Sequence, residues 1–205
     1  AKVIENTATG NKSNGILAMR TQNPIYIQGN TCKENGDTGI ITYNTGNIII
    51  EKNKCENNGK KGIHIGDNTT VTIKENSSSE NKADGISIDG NNINADVSAN
   101  EAIHNGEDGI VVLCGSYATL EGNTARENEW SGIHISSWDT EVTALNNTCQ
   151  KNQKAGITVS QSGHAVIKQN HCIENETSGI VVKDESSSAE IIENELKDNR
   201  EKSES

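Results

Sequence analysis

The chain has 205 residues, of which 31% are hydrophobic and 2% aromatic, with no Phe and one proline, Pro24. That supply cannot fill an ordinary globular core, and no apolar run approaches the ~20 residues of a membrane-spanning helix. A net charge of −11 repels phosphate backbones and argues against a nucleic-acid partner.

Taken in order, the residues repeat a cassette of Asn, four residues, Asn, three residues and Gly. The first Asn falls at Asn6, Asn30, Asn53, Asn76, Asn100, Asn123, Asn147, Asn170 and Asn194. The second falls at Asn11, Asn35, Asn58, Asn81, Asn105, Asn128, Asn152, Asn175 and Asn199. The glycine is Gly15, Gly39, Gly62, Gly85, Gly109, Gly132, Gly156 or Gly179. Nine copies at a period of 23 or 24 residues, with every extra residue falling after the glycine, predict a solenoid of stacked coils.

Counting from the first Asn, positions +10 and +12 read Ile63/Ile65, Ile110/Val112 and Ile133/Ile135, among others. Residues two apart share a face of a strand, so this is a short strand with its branched side inward. Positions −5 and −3 form a second strand, as in Ile48/Ile50 and Val71/Ile73. A third inward column at +2 is small: Ala8, Cys32, Cys55, Ser78, Ala102, Ala125, Cys149 and Cys172, then Leu196. Helical repeats need apolar residues at i, i+3, i+4 and i+7, which are absent, and Leu is too rare for leucine-rich repeats. The expected fold is all-β: a right-handed parallel β-helix of about nine coils with three short strands per coil. At ~4.8 Å per rung the rod is roughly 43 Å long.

Asn suits the turns because it tolerates the left-handed backbone region and because its amide can stack on an identical amide one rung away. The glycine column marks a bend where a Cβ would clash or φ is positive. Both columns read as structure. The unbroken repeat predicts one domain over 1–199 and a polar tail at 200–205. Ala1 enters directly at a core strand, which suggests an end-to-end contact or a missing domain at the N-terminal rung. Lys197, Asp198, Arg200, Glu201 and Lys202 are candidates to shield the other end.

The segment Ala118-Thr119-Leu120-Glu121-Gly122-Asn123-Thr124-Ala125-Arg126-Glu127-Asn128, with Ser131-Gly132-Ile133 after it, resembles the parallel β-helix repeat of the pectin-lyase-like superfamily. More narrowly it resembles the small-coil branch of carbohydrate-binding and sugar-hydrolysis domains, which includes copper-maturation proteins and the repeat region of an F-box protein. The resemblance spans the chain. It implies the fold and leaves lyases, hydrolases, epimerases and non-catalytic adaptors open. The paired-Asp signature of polygalacturonases, the Arg-bearing motif of pectate lyases and the Asp-Pro-His-type motif of epimerases are missing here.

Two outward patches on the strand after the glycine are candidate sites. Trp130 at +7 and Trp138 at +15 flank Gly132-Ile133-His134-Ile135-Ser136, so the two indoles bracket an outward His134 as a sugar-stacking platform. The next rung sets Thr158 beside His134, Ser160 beside Ser136 and Lys154 beside Trp130. Lower on the same face, Tyr43, His64 and Asp89 are read as a set able to act in proton transfer. Asp84 and Asp108 neighbour each other at +8, where proximity would raise a pKa only if they are partly buried.

Cys32 stacks on Cys55 and Cys149 on Cys172, which reads as free thiols in a small core column, with Cys114 outside it. No zinc-type spacing is present, so no metal or cofactor is assigned; calcium is left open without a motif. The leading expectation is a non-catalytic module that contacts an extended polysaccharide through one strand face. A polysaccharide-processing enzyme is the alternative, expected to show a groove with clustered ionisable groups. A protein-interaction scaffold is the third reading, with Leu17, Ile41, Val111, Leu113 and Val181 as its apolar patch. The partner is therefore a carbohydrate or a protein, and an extracellular or cell-surface location is favoured.

Overall fold

The structure, a computed structural model, describes residues 1–21 and 23–200. Glu201 and Lys202, and with them most of the polar tail at 200–205, lie outside the described residues. The described residues form strands and turns with no helix. The strand preceding the first Asn builds the first sheet, nine strands from Lys2–Ile4 to Ser188–Ile192. Three-residue strands from Thr7–Thr9 to Glu195–Lys197 build the second, also of nine strands. The strand after the glycine builds the third, eight strands from Ile16–Thr21 to Ile180–Val182. Each strand pairs in parallel with the equivalent strand one coil on, in chain order, which is the expected solenoid.

The predicted inward columns are the core. Ile63, Ile65, Ile110, Val112, Ile133 and Ile135 are buried, as are Cys32, Cys55, Cys149 and Cys172 in the small column. The cysteines are free thiols, in register as Cys32 with Cys55 and Cys149 with Cys172. Branched residues suit this core because each fills the pleat above its counterpart on the next coil.

Both asparagine columns are hydrogen-bonded ladders. Asn123 Oδ1 accepts from the N–H and the amide of Asn100, and Asn123 passes the same pair of bonds to Asn147 at 2.9 Å each. Its amide also donates to the Val97 carbonyl. Asn128 repeats the pattern with Asn105, Asn152 and the Ala102 carbonyl. Asn30, Asn35, Asn53, Asn58, Asn170 and Asn175 do likewise, and all are buried. The left-handed residue, however, is not the ladder Asn but the one before it: Lys52, Glu75, Ala99 and Asn146 before the first column, Glu34, Glu80, His104 and Glu127 before the second. Asn is therefore selected for its amide, which satisfies buried backbone groups at the turn, and not for tolerance of positive φ.

The glycine column serves close approach. A Cβ on Gly39 would lie 2.7 Å from the Gly62 carbonyl oxygen, and one on Gly62 would lie 2.7 Å from that of Gly85. On Gly132 it would meet Gly156 O at 2.8 Å and Cys149 Cβ at 2.9 Å, and on Gly179 it would meet Leu196 Cδ2 at 2.9 Å. None of these four glycines has a positive φ. The same contacts explain why the +2 column is small from Cys32 to Cys172, where each residue sits against the glycine of the preceding coil; Leu196, half-exposed at the last coil, is the large exception.

The apolar patch expected of a scaffold is not an exposed surface. Ile41 and Val111 are buried, Leu113 and Val181 are half-buried, and of the five only Leu17 is exposed. Side chains stacked one rung apart cover one another on the outer face of the third sheet. At the last coil Ile191 and Leu196 are half-exposed, so among the described residues Lys197, Asp198 and Arg200 do not cover that end.

Candidate functional site

The site grows from the acid column at +8, the position immediately before the glycine bend. Here a short carboxylate reaches the backbone of the next coil: Asp84 Oδ1 accepts from Asp108 N–H at 3.3 Å, and Asp108 Oδ1 from Ser131 N–H at 2.8 Å. Each acid is buried and has its second oxygen left to hold a side chain. Asp84 takes Lys61, at 3.3 Å. Asp108 takes His134, whose Nδ1 lies 2.9 Å from Asp108 Oδ2. On its other side His134 Nε2 lies 2.9 Å from Ser160 Oγ. The Ser160 hydroxyl also has Ser136 Oγ as an acceptor, at 3.3 Å, and Ser136 Oγ donates to Gln161 Oε1 at 3.2 Å.

Asp108, His134 and Ser160 come from three successive coils and three different columns, +8, +11 and +13. In the sequence like columns pair His134 with Thr158 and Ser136 with Ser160. The register confirms both of those pairs. The chemistry runs along the diagonal, and the signal that could have found it is the equal spacing of 26 residues from Asp108 to His134 and from His134 to Ser160. Ser136, Thr158 and Ser160 are buried rather than standing free on an open face, because neighbouring rungs and the flanking turns cover them.

Around this line runs a groove of about 970 Å³ along the outer face of the third sheet, lined by Trp130, His134, Lys154, Ser160, Lys183 and Asp184 among others. Its walls are side chains of the turns, without long loops. Trp130 is 40% exposed, and Lys154 Nζ sits 4.2 Å from its ring centroid, the predicted neighbour in a cation–π contact. Trp138 is 78% exposed at the opposite edge of the sheet, in a separate shallow hollow with Cys114, Asp139 and Gln161. The two indoles flank the strand as expected but do not form one platform; Gln161 lines both hollows. Asp184 receives Gln161 N–H at 2.6 Å. Against a desolvation that works to raise it, that bond and those from Ser187, Ser186 and the Ser162 backbone hold Asp184 down at about 2.

The lower patch is a second cluster. Tyr43 and His64 meet edge to face with ring centroids 5.5 Å apart, and the Tyr43 ring lies over Gly66. Lys61 ties the patch together through Ser87 Oγ at 2.7 Å, Asp84 Oδ2 at 3.3 Å and Asp89 Oδ2 at 4.0 Å. Burial, assisted by Lys61, pushes His64 down to about 4, and its Nε2 is buried without a partner. Burial pushes Asp84 up to about 6 against the pull of Lys61. Burial also raises the Tyr43 hydroxyl, with Asp37 and Asp89 adding to it. Near neutral pH the cluster thus holds a neutral imidazole and an ion pair whose carboxylate is buried.

No group of three or more His, Cys, Asp or Glu residues among the described residues is placed to hold a metal, and no described helix is long and apolar enough to cross a membrane.

Two comparisons find similar proteins. The model of the right handed beta helix region matches residues 1–107 and 93–203. Among solved structures, that of the periplasmic alginate epimerase AlgG is similar with a TM-score of 0.77 at 20% identity, over 86% of this chain and 46% of that one. A double mutant of the same epimerase gives 0.77 at 19% identity, over 94% of this chain and 50% of that one. The chain therefore spans about half the length of those structures, and at such identity the likeness is one of fold. No curated protein matches. With the family model covering both halves of nine uniform coils, the chain belongs to the right-handed parallel β-helix family of the pectin-lyase-like kind.

Proposed function

We propose that this β-helix binds an anionic polysaccharide lengthwise along the groove of the third sheet. One observation carries the reading: in a chain of net charge −11, the groove of about 970 Å³ sets two lysines, Lys154 and Lys183, beside a partly exposed indole, Trp130, while its two carboxylates are held internally, Asp108 by Ser131 and His134 and Asp184 by Gln161 and Ser187. An indole face takes the apolar side of a sugar ring, and an ammonium takes a uronate carboxylate. The groove crosses several coils, so it offers a repeating ligand a repeating surface. An alginate epimerase that shares the fold agrees with a polyuronate as the ligand class.

The experiment is titration calorimetry of the native protein against a polyuronate and a neutral glucan, with and without calcium. Binding is expected to the polyuronate alone, weakened about tenfold or more by Trp130→Ala and by joint Lys154→Ala and Lys183→Ala replacement, and left nearly unchanged by Trp138→Ala. Equal binding of the neutral glucan, or loss only with Trp138→Ala, overturns the assignment of the groove.

A further inference from the structure

We infer that Asp108, His134 and Ser160 form an acyl-transfer centre that removes ester groups from the glycan held in the groove. The substrate class rests on the polysaccharide reading above; the chemistry rests on geometry alone. Asp108 is buried, and the Ser131 N–H fixes one of its oxygens, so the other faces His134 Nδ1 at 2.9 Å in a single orientation. A buried carboxylate there holds the proton on Nδ1, which leaves Nε2 as an acceptor. The atom facing that acceptor, at 2.9 Å, is Ser160 Oγ, whose single proton has this shorter contact and a 3.3 Å one to Ser136 Oγ to choose between, and Ser160 lines the groove. A nucleophile, a base and a group that orients the base are thus in line at hydrogen-bond distances, the arrangement that activates a serine.

The adjacent coils supply an internal comparison. Asp84, the same column one coil earlier, holds Lys61, and Lys61 donates to Ser87 Oγ at 2.7 Å. There the group facing the hydroxyl is a cation that cannot accept its proton, and Ser87 is fully buried. The same scaffold position therefore gives a static ion pair in one coil and a proton-accepting line ending in the groove in the next. The asparagine ladders join like to like straight up a column, whereas the step from +8 to +11 one coil on recurs as Lys61 with Ser87 and Ser131 with Thr158. The line from Asp108 to Ser160 crosses columns.

The reaction balances with water as the only co-reactant. Ser160 Oγ bonds to the ester carbonyl carbon as its proton passes to His134 Nε2, and Asp108 faces the resulting imidazolium. Collapse breaks the bond from that carbon to the sugar oxygen, which leaves with the proton from Nε2. Water then repeats the attack on the acyl-serine, giving a free carboxylic acid and restoring Ser160. The Gln161 N–H is already committed to Asp184. The donors left to the oxyanion are side chains that line the same groove: the Gln161 amide, whose Oε1 is taken by Ser136, and the Lys183 ammonium.

The test is exposure of the native protein to a fluorophosphonate probe, with the labelled residue located by mass spectrometry. It is paired with acetate release from an O-acetylated polyuronate and hydrolysis of p-nitrophenyl acetate. Labelling is expected at Ser160, and Ser160→Ala is expected to abolish it and to slow both hydrolyses at least about a hundredfold with an unchanged circular dichroism spectrum. Asp108→Asn should slow them too, but it also touches the Ser131 N–H, so Ser160→Ala decides. Absence of label from Ser160, or hydrolysis that Ser160→Ala leaves intact, overturns the proposal. Polyuronate binding by Ser160→Ala, measured in parallel, separates the two readings. Binding with an inert Ser160 leaves the glycan reading and removes this one. Label and p-nitrophenyl acetate turnover without binding do the reverse.

Discussion

Buried Asp84 and half-buried Lys61 form an ion pair, 3.3 Å apart, on the face that also carries the half-buried His64. The pair and the histidine impose opposite pH dependences on stability. Asp84 has its folded pKa raised to about 6, so its contribution is fully present below an unfolded value near 4 and is lost as pH rises through 6. His64 has its folded pKa lowered to about 4, so its contribution is fully present above an unfolded value of about 6.5 and is lost as pH falls through 4. Between pH 4 and 6 the slopes cancel. Relative to native protein, Asp84→Asn should therefore gain ~2–3 kcal/mol of stability from pH 4 to 7, and His64→Gln should lose a similar amount. Urea midpoints across that range read this directly. Curves that stay parallel to the native one would remove the assignment.

The ladder makes interior and edge asparagines unequal. Asn123→Ala strands the Asn100 N–H and the Val97 carbonyl inside the rod, and should cost ~3–5 kcal/mol by urea unfolding. Asn6→Ala removes an exposed member that holds only the first coil, and should cost under ~1 kcal/mol. Equal costs would mean that the amides are not the spacing element.

Glycines separate in the same way. Gly132→Ala forces a methyl to 2.8 Å from the Gly156 carbonyl and 2.9 Å from Cys149 Cβ, between two coils that cannot part without breaking both ladders. A loss of ~3 kcal/mol or more is expected. Gly122→Ala meets no atom within 4 Å and asks only for φ near +63°, which Ala99 already accepts one coil earlier at 52°. Its expected cost is ~1 kcal/mol. Thermal melts of the two variants rank them.

Thiol titration checks the core column. Cys32, Cys55, Cys149 and Cys172 are fully buried, and Cys114 alone of the five cysteines is exposed. Native protein should give one equivalent with an aromatic disulfide reagent and five in denaturant. The one equivalent should react slowly at neutral pH, since partial burial and then Asp89 raise the Cys114 thiol. More than one fast thiol would show that the coils open.

How much of this was legible in the sequence follows from which interactions repeat. The ladders and inward columns recur at identical offsets in every coil, so Asn123, Gly132 and Ile133 announce their roles by position. The left-handed residues also recur, yet Glu, Lys, Ala, His and Gln share that task, and no side-chain chemistry marks it. The line from Asp108 to Ser160 occurs once and runs oblique to the columns. It depends on which oxygen of Asp108 the Ser131 N–H has taken, and that is a property of the folded turn. The burial of Thr158 and Ser136 was hidden for a similar reason, because an outward strand residue is covered by the coils above and below it and not by its sequence neighbours.

The amide columns also give the rod a sense. In each step the lower coil donates and the higher coil accepts, from Asn6 to Asn30 at one end to Asn170 to Asn194 at the other. The second column, from Asn11 to Asn199, points the same way. Aligned amides in a chain polarise one another, so two parallel rows of dipoles run the length of the solenoid without cancelling. Its two ends are electrically unlike. A glycan chain, whose own ends also differ, would lie in the proposed groove beside two rows of dipoles that point one way only.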